Sequence, residues 1–317
     1  MKYIRWLSKN LSLSIPLFLI LGLLVGQFFE TDGFKVLITP LTLLMVYPMM
    51  VGVKLKQLLQ PGNNKVQLWA VAINFLLIPF IAFGLGRLFF ADQPALALGL
   101  LLAALLPTSG MTISWTGFAN GNVSAAIKIT IIGLFLGSLL TPFYVRFLMG
   151  AEIPVRLLEV FQQIILFVFV PLLAGQLTRT LLVKKHGQEK FQNQYAPRFP
   201  PFSSLGVLGI VFVAMALKSD DLLRSPELIL SIALPLLILY ALNYVISTLI
   251  ARKVLNRGDD IALVYGTVMR NLSIALALSM TAFGETGAQA AILIALAYII
   301  QVQSAAWYVK FSDKIFS

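Results

Sequence analysis

The chain has 317 residues, of which 59% are apolar and only 12% charged, about half the charged share of an ordinary soluble domain. It contains no cysteine and a single histidine, His186, in the basic stretch Lys184-Lys185-His186. These counts exclude disulfides, thiolate chemistry and a histidine-built metal centre. The net charge of +11 is spread as membrane topology requires, not gathered into a nucleic-acid patch.

Uncharged runs of about 20 residues, the length that crosses the hydrocarbon core, recur along the chain. Ten spans are predicted: 11–28, 36–53, 66–86, 94–118, 123–145, 157–178, 201–217, 228–251, 261–283 and 288–309. The first is expected to be retained, because no small-x-small cleavage site follows Gln27-Phe28-Phe29. Span 2 carries Met45-Val46-Tyr47-Pro48, and span 3 carries Asn74-Phe75-Leu76-Leu77-Ile78-Pro79. Asn74 and Asn243 (span 8) share an Asn-aromatic-apolar-apolar pattern and are candidate interhelical bonds or site lining.

Span 4 contains Leu106-Pro107-Thr108-Ser109-Gly110-Met111-Thr112. Pro107 removes a backbone donor and clashes with the preceding turn, and Gly110 weakens the helix further, so a break is expected there. The hydroxyls of Thr108, Ser109 and Thr112 either satisfy the freed carbonyls or contact a solute. Lys128 lies about four residues into span 5, close enough to reach the aqueous face. The stretch 179–200, rich in Gln and Asn, reads as a mobile cytoplasmic connector.

Span 9 carries Met269-Arg270-Asn271-Leu272-Ser273 at the depth of the span-4 break. Arg270 is ten residues beyond Asp260, about 15 Å along a helix, too deep to reach water easily. No acid occupies the centre of any span. Three roles are therefore open to its guanidinium: bonding the carbonyls of a broken helix, holding an anionic solute, or replacing a coupling cation. Gln162, Gln163, Gln301 and Gln303 could contact a solute, but nothing in the pattern assigns them one.

The stretch from Phe118 to Ala125-Ala126-Ile127 returns 165 residues later, from Phe283 to Ala290-Ala291-Ile292. A weaker echo links Lys54-Leu55-Lys56-Gln57-Leu58-Leu59 to Lys218-Ser219-Asp220-Asp221-Leu222-Leu223. Two copies of one half are expected, 1–153 and 154–317, meeting at Gly150-Ala151-Glu152-Ile153-Pro154. Assigning basic residues to alternate sides puts 16 of the 24 on the side of the termini, six on the other and two, Lys128 and Arg270, inside spans. The positive-inside rule then makes both termini cytoplasmic. An odd number of spans per half turns the second half upside down.

The expected fold is an all-α polytopic membrane protein of ten transmembrane helices, as two inverted five-helix repeats with discontinuous, crossing helices 4 and 9. Broken helices at the midplane of such a repeat are the usual place for a transporter's substrate. The expected site is Thr108, Ser109, Thr112, Arg270, Asn271, Ser273 and Asn74. The expected function is secondary transport of a small solute, first choice an organic anion. The partners are that solute and the lipid bilayer; a bacterial inner membrane is the expected location, and a homodimer is compatible with it. No enzyme constellation, cofactor, metal or nucleic-acid partner is called for, and a channel or non-transporting receptor is the rival of another class.

At the quoted residues the chain resembles the bile acid:sodium symporter superfamily, and within it the arsenite-permease branch. Met45 to Pro48 is similar to that branch's Met-x-Tyr-Pro, Asn74 to Pro79 to its Asn-aromatic-x-x-x-Pro, and Pro107 through Met111 to Trp115, with Gly121, to its span-4 signature. The resemblance implies ten spans divided into a panel and a core. It also exposes departures. The branch's cysteine after the span-4 proline falls on Thr108 and its span-9 glutamate on Ser273. Ligands of sodium-coupled members fall on Thr112, Ile113, Gly266 and Arg270; of two further hydroxyls, Thr130 matches and the other falls on Ala126. Sodium coupling is therefore not expected, and metalloid efflux without a thiolate, through Thr108, Ser109 and Ser273, is the alternative to the organic anion.

Overall fold

A computed structural model describes residues 2–55, 64–153, 155–219 and 227–316. Among them every regular element is helical. Seven helices are long and apolar enough to cross a membrane, and shorter apolar helices occupy Leu13–Phe28, Pro94–Leu105 and Leu272–Ala282. The chain is thus an all-helical polytopic membrane protein. Most of the Lys54–Leu59 echo, and all but Lys218 and Ser219 of its counterpart, lie outside the described residues.

The chain divides into two compact units, each drawn from both halves of the sequence: Met1–Val53, Leu158–Leu228 and Ser273–Ala295 form one, and Lys54–Leu157, Ile229–Leu272 and Leu296–Ser317 the other.

The first unit contains α1 (Lys2–Lys9), α2 (Leu11–Phe28) and α3 (Ile38–Val51). Leu13, Leu17, Ile20 and Leu24 form an exposed apolar row on α2, one helical face that lipid rather than water can solvate. In lipid the hydrophobic effect does not drive helices together, so close approach of small residues and polar bonds must do it. A Cβ on Gly22 of α2 would lie 2.5 Å from the carbonyl oxygen of Phe212, so only glycine allows that approach. Met45 accepts a bond on its carbonyl oxygen from Ser203 Oγ at 2.6 Å. The carboxyl end of α3 is capped from a distance: Gln176 Nε2 donates to the carbonyls of Met50 and Val53, each at 3.0 Å, and Arg179 Nη1 to Val53 at 3.1 Å.

The segment 179–200, expected as a mobile connector, is mostly helical. The helix before it runs from Leu157 to His186, and short helical turns follow at Gln188–Lys190, Phe191–Tyr195 and Ala196–Arg198. Aromatic anchoring explains the difference: Phe191 is buried with the Arg179 guanidinium over its ring, and His186 stacks on Tyr195.

The second unit begins with α4 (Asn64–Phe89) and continues with α5 (Pro94–Leu105), α6 (Gly110–Phe118) and α7 (Val123–Met149). A π-turn interrupts α4 at Ile73–Leu77, directly ahead of Pro79. Proline cannot donate to the carbonyl four residues back, that of Phe75, and the freed oxygen accepts from Tyr144 Oη instead. Lys128, for which the sequence left a reach to the aqueous face open, is buried on α7. The chain returns to this unit through α8 (Glu227–Val254), α9 (Arg257–Val268) and the end of a long helix, Gly284–Ile315. The amino ends of α7 and α9 are tied together. Asn122 caps α7 at the Ala125 amide (3.0 Å), donates to Asp259 Oδ1 (2.7 Å), and takes the Gly258 carbonyl through its own amide (2.8 Å). An acid between two helix amino ends is electrostatically favourable.

Candidate functional site

Spans 4 and 9 are both broken, and the breaks bond to each other. α5 stops at Leu105 because Pro107 cannot continue the ladder and drives Leu106 out of the helical region (φ −105°, ψ 81°). α9 stops at Val268, with Met269 extended (φ −72°, ψ 119°). Pro107 and Arg270 then form an antiparallel bridge. The Thr108 amide donates to the Met269 carbonyl and the Asn271 amide to that of Leu106, both at 2.7 Å. Two interrupted helices thus satisfy part of each other's backbone among buried residues, where unpaired polar groups are costly.

Thr108 carries the sharpest local feature. Its φ of 65° is left-handed, a conformation disfavoured for a β-branched residue. Its hydroxyl donates to the carbonyls of Pro107 (2.6 Å) and Thr130 (3.2 Å), strapping the break to α7. Ser109 then begins α6 as a capping box: its Oγ accepts from the Met111 amide at 3.2 Å, and Thr112 Oγ1 from the Ser109 amide at 3.1 Å. Thr112 is fully buried, Ser109 half-buried and Gly110 exposed, and apart from its chain neighbours and its own helix backbone nothing lies within 4 Å of where a Gly110 side chain would start.

Arg270 is only 4% exposed. Its Nη1 donates to Asn74 Oδ1 at 2.9 Å and to the Ala104 carbonyl, in the last turn of α5, at 3.1 Å. Nη2 has no hydrogen-bond partner among the described residues. Asn74 also donates through Nδ2 to the Gly266 carbonyl at 2.9 Å, so one amide serves both the guanidinium and the end of α9. Its position is set by the π-turn, which spans residue 74. Asn243 donates to the neighbouring Thr267 carbonyl at 2.9 Å. The interhelical-bond reading of both asparagines therefore describes what they do.

Two residues went unassigned by the sequence. Gln301 accepts on Oε1 from the Arg270 amide (2.7 Å) and donates from Nε2 to the Arg270 carbonyl (3.2 Å), gripping the break on both sides. Tyr240 Oη donates to the same Oε1 at 2.9 Å. A glutamine in an apolar helix was visible in the sequence, but nothing there gave its partner.

Of the seven expected site residues, Asn74, Thr108, Ser109, Thr112, Arg270 and Asn271 gather at the paired breaks. Ser273 follows in the first turn of Leu272–Ala282, half-buried, and belongs to the other unit. The site described here rests on the second unit alone.

Paired helix breaks deep in a multi-pass helical protein, carrying a buried cation and a capped helix amino end, define the class of secondary transporters. A family model described as the Sodium Bile acid symporter family matches residues 39–225, more than half of the chain, and the chain belongs to that family. Over 310 residues it is 27% identical to the arsenical-resistance protein Acr3 of Corynebacterium glutamicum, covering 90% of this chain and 84% of that one. The Acr3 arsenical-resistance protein of Alkaliphilus metalliredigens is 23% identical, over 75% of this chain and 72% of its own. An uncharacterized sodium-dependent transporter of Bacillus subtilis, YocS, is 29% identical over 52% of this chain and 51% of its own.

Proposed function

We propose that this transporter carries a small, uncharged, hydroxyl-bearing oxyacid of the arsenous-acid type out of the cell by alternating access. The observation that carries the reading is how the polar groups at the breaks are allocated. Arg270 Nη1 and the side chains of Asn74, Thr108 and Asn243 are committed to this chain's own acceptors. The accessible group is the amino end of α6, where Ser109 is half-buried and Gly110 borders open space. Ser109 Oγ accepts from Met111 and keeps its own proton to donate. A neutral oxyacid can accept that hydrogen bond and direct an oxygen at the Gly110 amide, at the end of α6 where the helix dipole is positive. Two relatives spanning most of the chain and named for arsenical resistance support this choice over the organic anion expected first.

The reading includes ten spans in two inverted halves, 1–153 and 154–317, with cytoplasmic termini. The order of elements supports it. α3, α4, α5, α6 and α7 are followed in the same order of lengths by Phe199–Leu217, α8, α9, Leu272–Ala282 and Gly284–Ile315.

One observation favours a second reading. Arg270 Nη2, which has no hydrogen-bond partner among the described residues, offers a charged donor to a small carboxylate. Bacteria stripped of their own arsenite exporters separate the two. Expression of this chain should lower cellular arsenic and raise tolerance to arsenite. Unchanged arsenic, with exchange of a carboxylate across the same membranes, would overturn the first reading for the second.

A further inference from the structure

Both helix ends that meet at the breaks, those of α5 and α9, are carboxyl ends. Such ends present carbonyls without intrahelical partners and the negative half of the helix dipole. In transporters with discontinuous helices, unwound carbonyls and carboxyl ends of this kind coordinate the coupling cation. Here neutral donors serve several of them: Asn74 takes Gly266, Asn243 takes Thr267, and backbone amides take Met269 and Leu106. Two acceptors, the Ala104 carbonyl and Asn74 Oδ1, receive a charged donor, Arg270 Nη1. Arg270 forms no ion pair among the described residues, so its charge is balanced by carbonyl and amide dipoles rather than by an acid.

We propose that Arg270 is a resident cation: a guanidinium tethered where the carboxyl ends of α5 and α9 would otherwise take a mobile monovalent cation. Sodium is then neither bound at the breaks nor needed for transport. This deepens the transporter reading and rests on it. Gln301 makes the tether rigid, because bonds to both the amide and the carbonyl of Arg270 fix the backbone from which the side chain reaches. The consequence separates this chain from the behaviour in its family's description, and it gives Arg270 a positioning role that requires no contact with the solute.

The experiment is a thermal-unfolding titration of purified protein in detergent with sodium, potassium, guanidinium and choline chlorides at constant ionic strength and sub-denaturing concentrations. The parent should show no saturable difference between sodium and choline. Arg270→Ala and Arg270→Gln should unfold at lower temperature. Each should gain a saturable rise of about 2 °C or more with sodium or guanidinium, but not with choline, because the abandoned oxygens now accept a free cation. Arg270→Lys keeps the charge and should stay indifferent to sodium. Saturable stabilisation of the parent or of Arg270→Lys by sodium would overturn the proposal. So would a folded Arg270→Ala that matches the parent and ignores every cation. If neither neutral variant folds, the parent and Arg270→Lys titrations still decide. No solute enters this measurement, so its outcome is independent of whether the cargo is arsenous acid.

Discussion

Replacing Asn74 with leucine removes both ends of the amide that joins α4 to the breaks. The side chain is 1% exposed and makes two bonds of 2.9 Å, one given to Gly266 and one received from the Arg270 guanidinium. A neutral buried bond contributes a net of about 0.5–1.5 kcal/mol, and one to a charged group about 1.5–3 kcal/mol. Within a bilayer the unfolded reference also finds partners, and measured bonds there average about 0.6 kcal/mol and reach about 1.7. Leucine keeps the branching and heavy-atom count of asparagine, so no cavity cost is added. The expected loss for Asn74→Leu is about 2 kcal/mol. Asn74→Asp adds a counter-charge facing Arg270 but loses the donor to Gly266 and sets a carboxylate oxygen against that carbonyl, so it should cost less than Asn74→Leu. Reversible unfolding in mixed micelles measures both. A double-mutant cycle with Arg270→Met should return a coupling of about 1 kcal/mol, as expected for residues in one network. An Asn74→Leu protein within about 0.5 kcal/mol of the parent would refute the claim that this amide holds the breaks.

Other consequences follow from the same geometry. Gly133→Ala would place a methyl 2.6 Å from Thr108 Oγ1, so it should destabilise by about 1–3 kcal/mol in the same unfolding assay. Thr108→Asn, which tolerates φ of 65° better than threonine, should fold with a stability close to the parent's. Ser109→Ala loses the cap of α6, should lower stability by about 1 kcal/mol, and should weaken solute binding by more than that loss explains in a ligand-dependent thermal shift. Single cysteines at Lys190 and Lys253 should react with impermeant reagents only from the cytoplasmic side, and labelling of either from outside in intact cells would reverse the topology.

Much of the fold could be read from the sequence because lipid imposes simple rules: apolar length gives spans, and Pro107 at the centre of one gives its break. The burial of Arg270 was expected from its place ten residues beyond Asp260 in an apolar run. Its partner did not follow, because the partner is an amide and a carbonyl on other helices, and sequence fixes neither pairing. The grip of Gln301 on Arg270 was hidden for the same reason. The left-handed Thr108 was hidden for another, since local preference argues against that conformation and bonds from its amide to Met269 and from its hydroxyl to Pro107 and Thr130 hold it. The π-turn at Ile73–Leu77 did leave a signal: Pro79 strands the Phe75 carbonyl, and a similar π-turn at Ile165–Phe169 stands ahead of Pro171. The ordered segment after His186 depended on tertiary packing of Phe191, which a run of Gln and Asn conceals.

The central claim is that this chain moves an uncharged metalloid oxyacid as a carrier, and counterflow in proteoliposomes tests it most directly. Vesicles preloaded with unlabelled arsenite should take up radiolabelled arsenite transiently above equilibrium, with a saturable rate that is unchanged when sodium is replaced by choline and reduced by Ser109→Ala. Uptake that rises linearly with concentration and shows no overshoot, or an overshoot given only by carboxylates, would contradict the account.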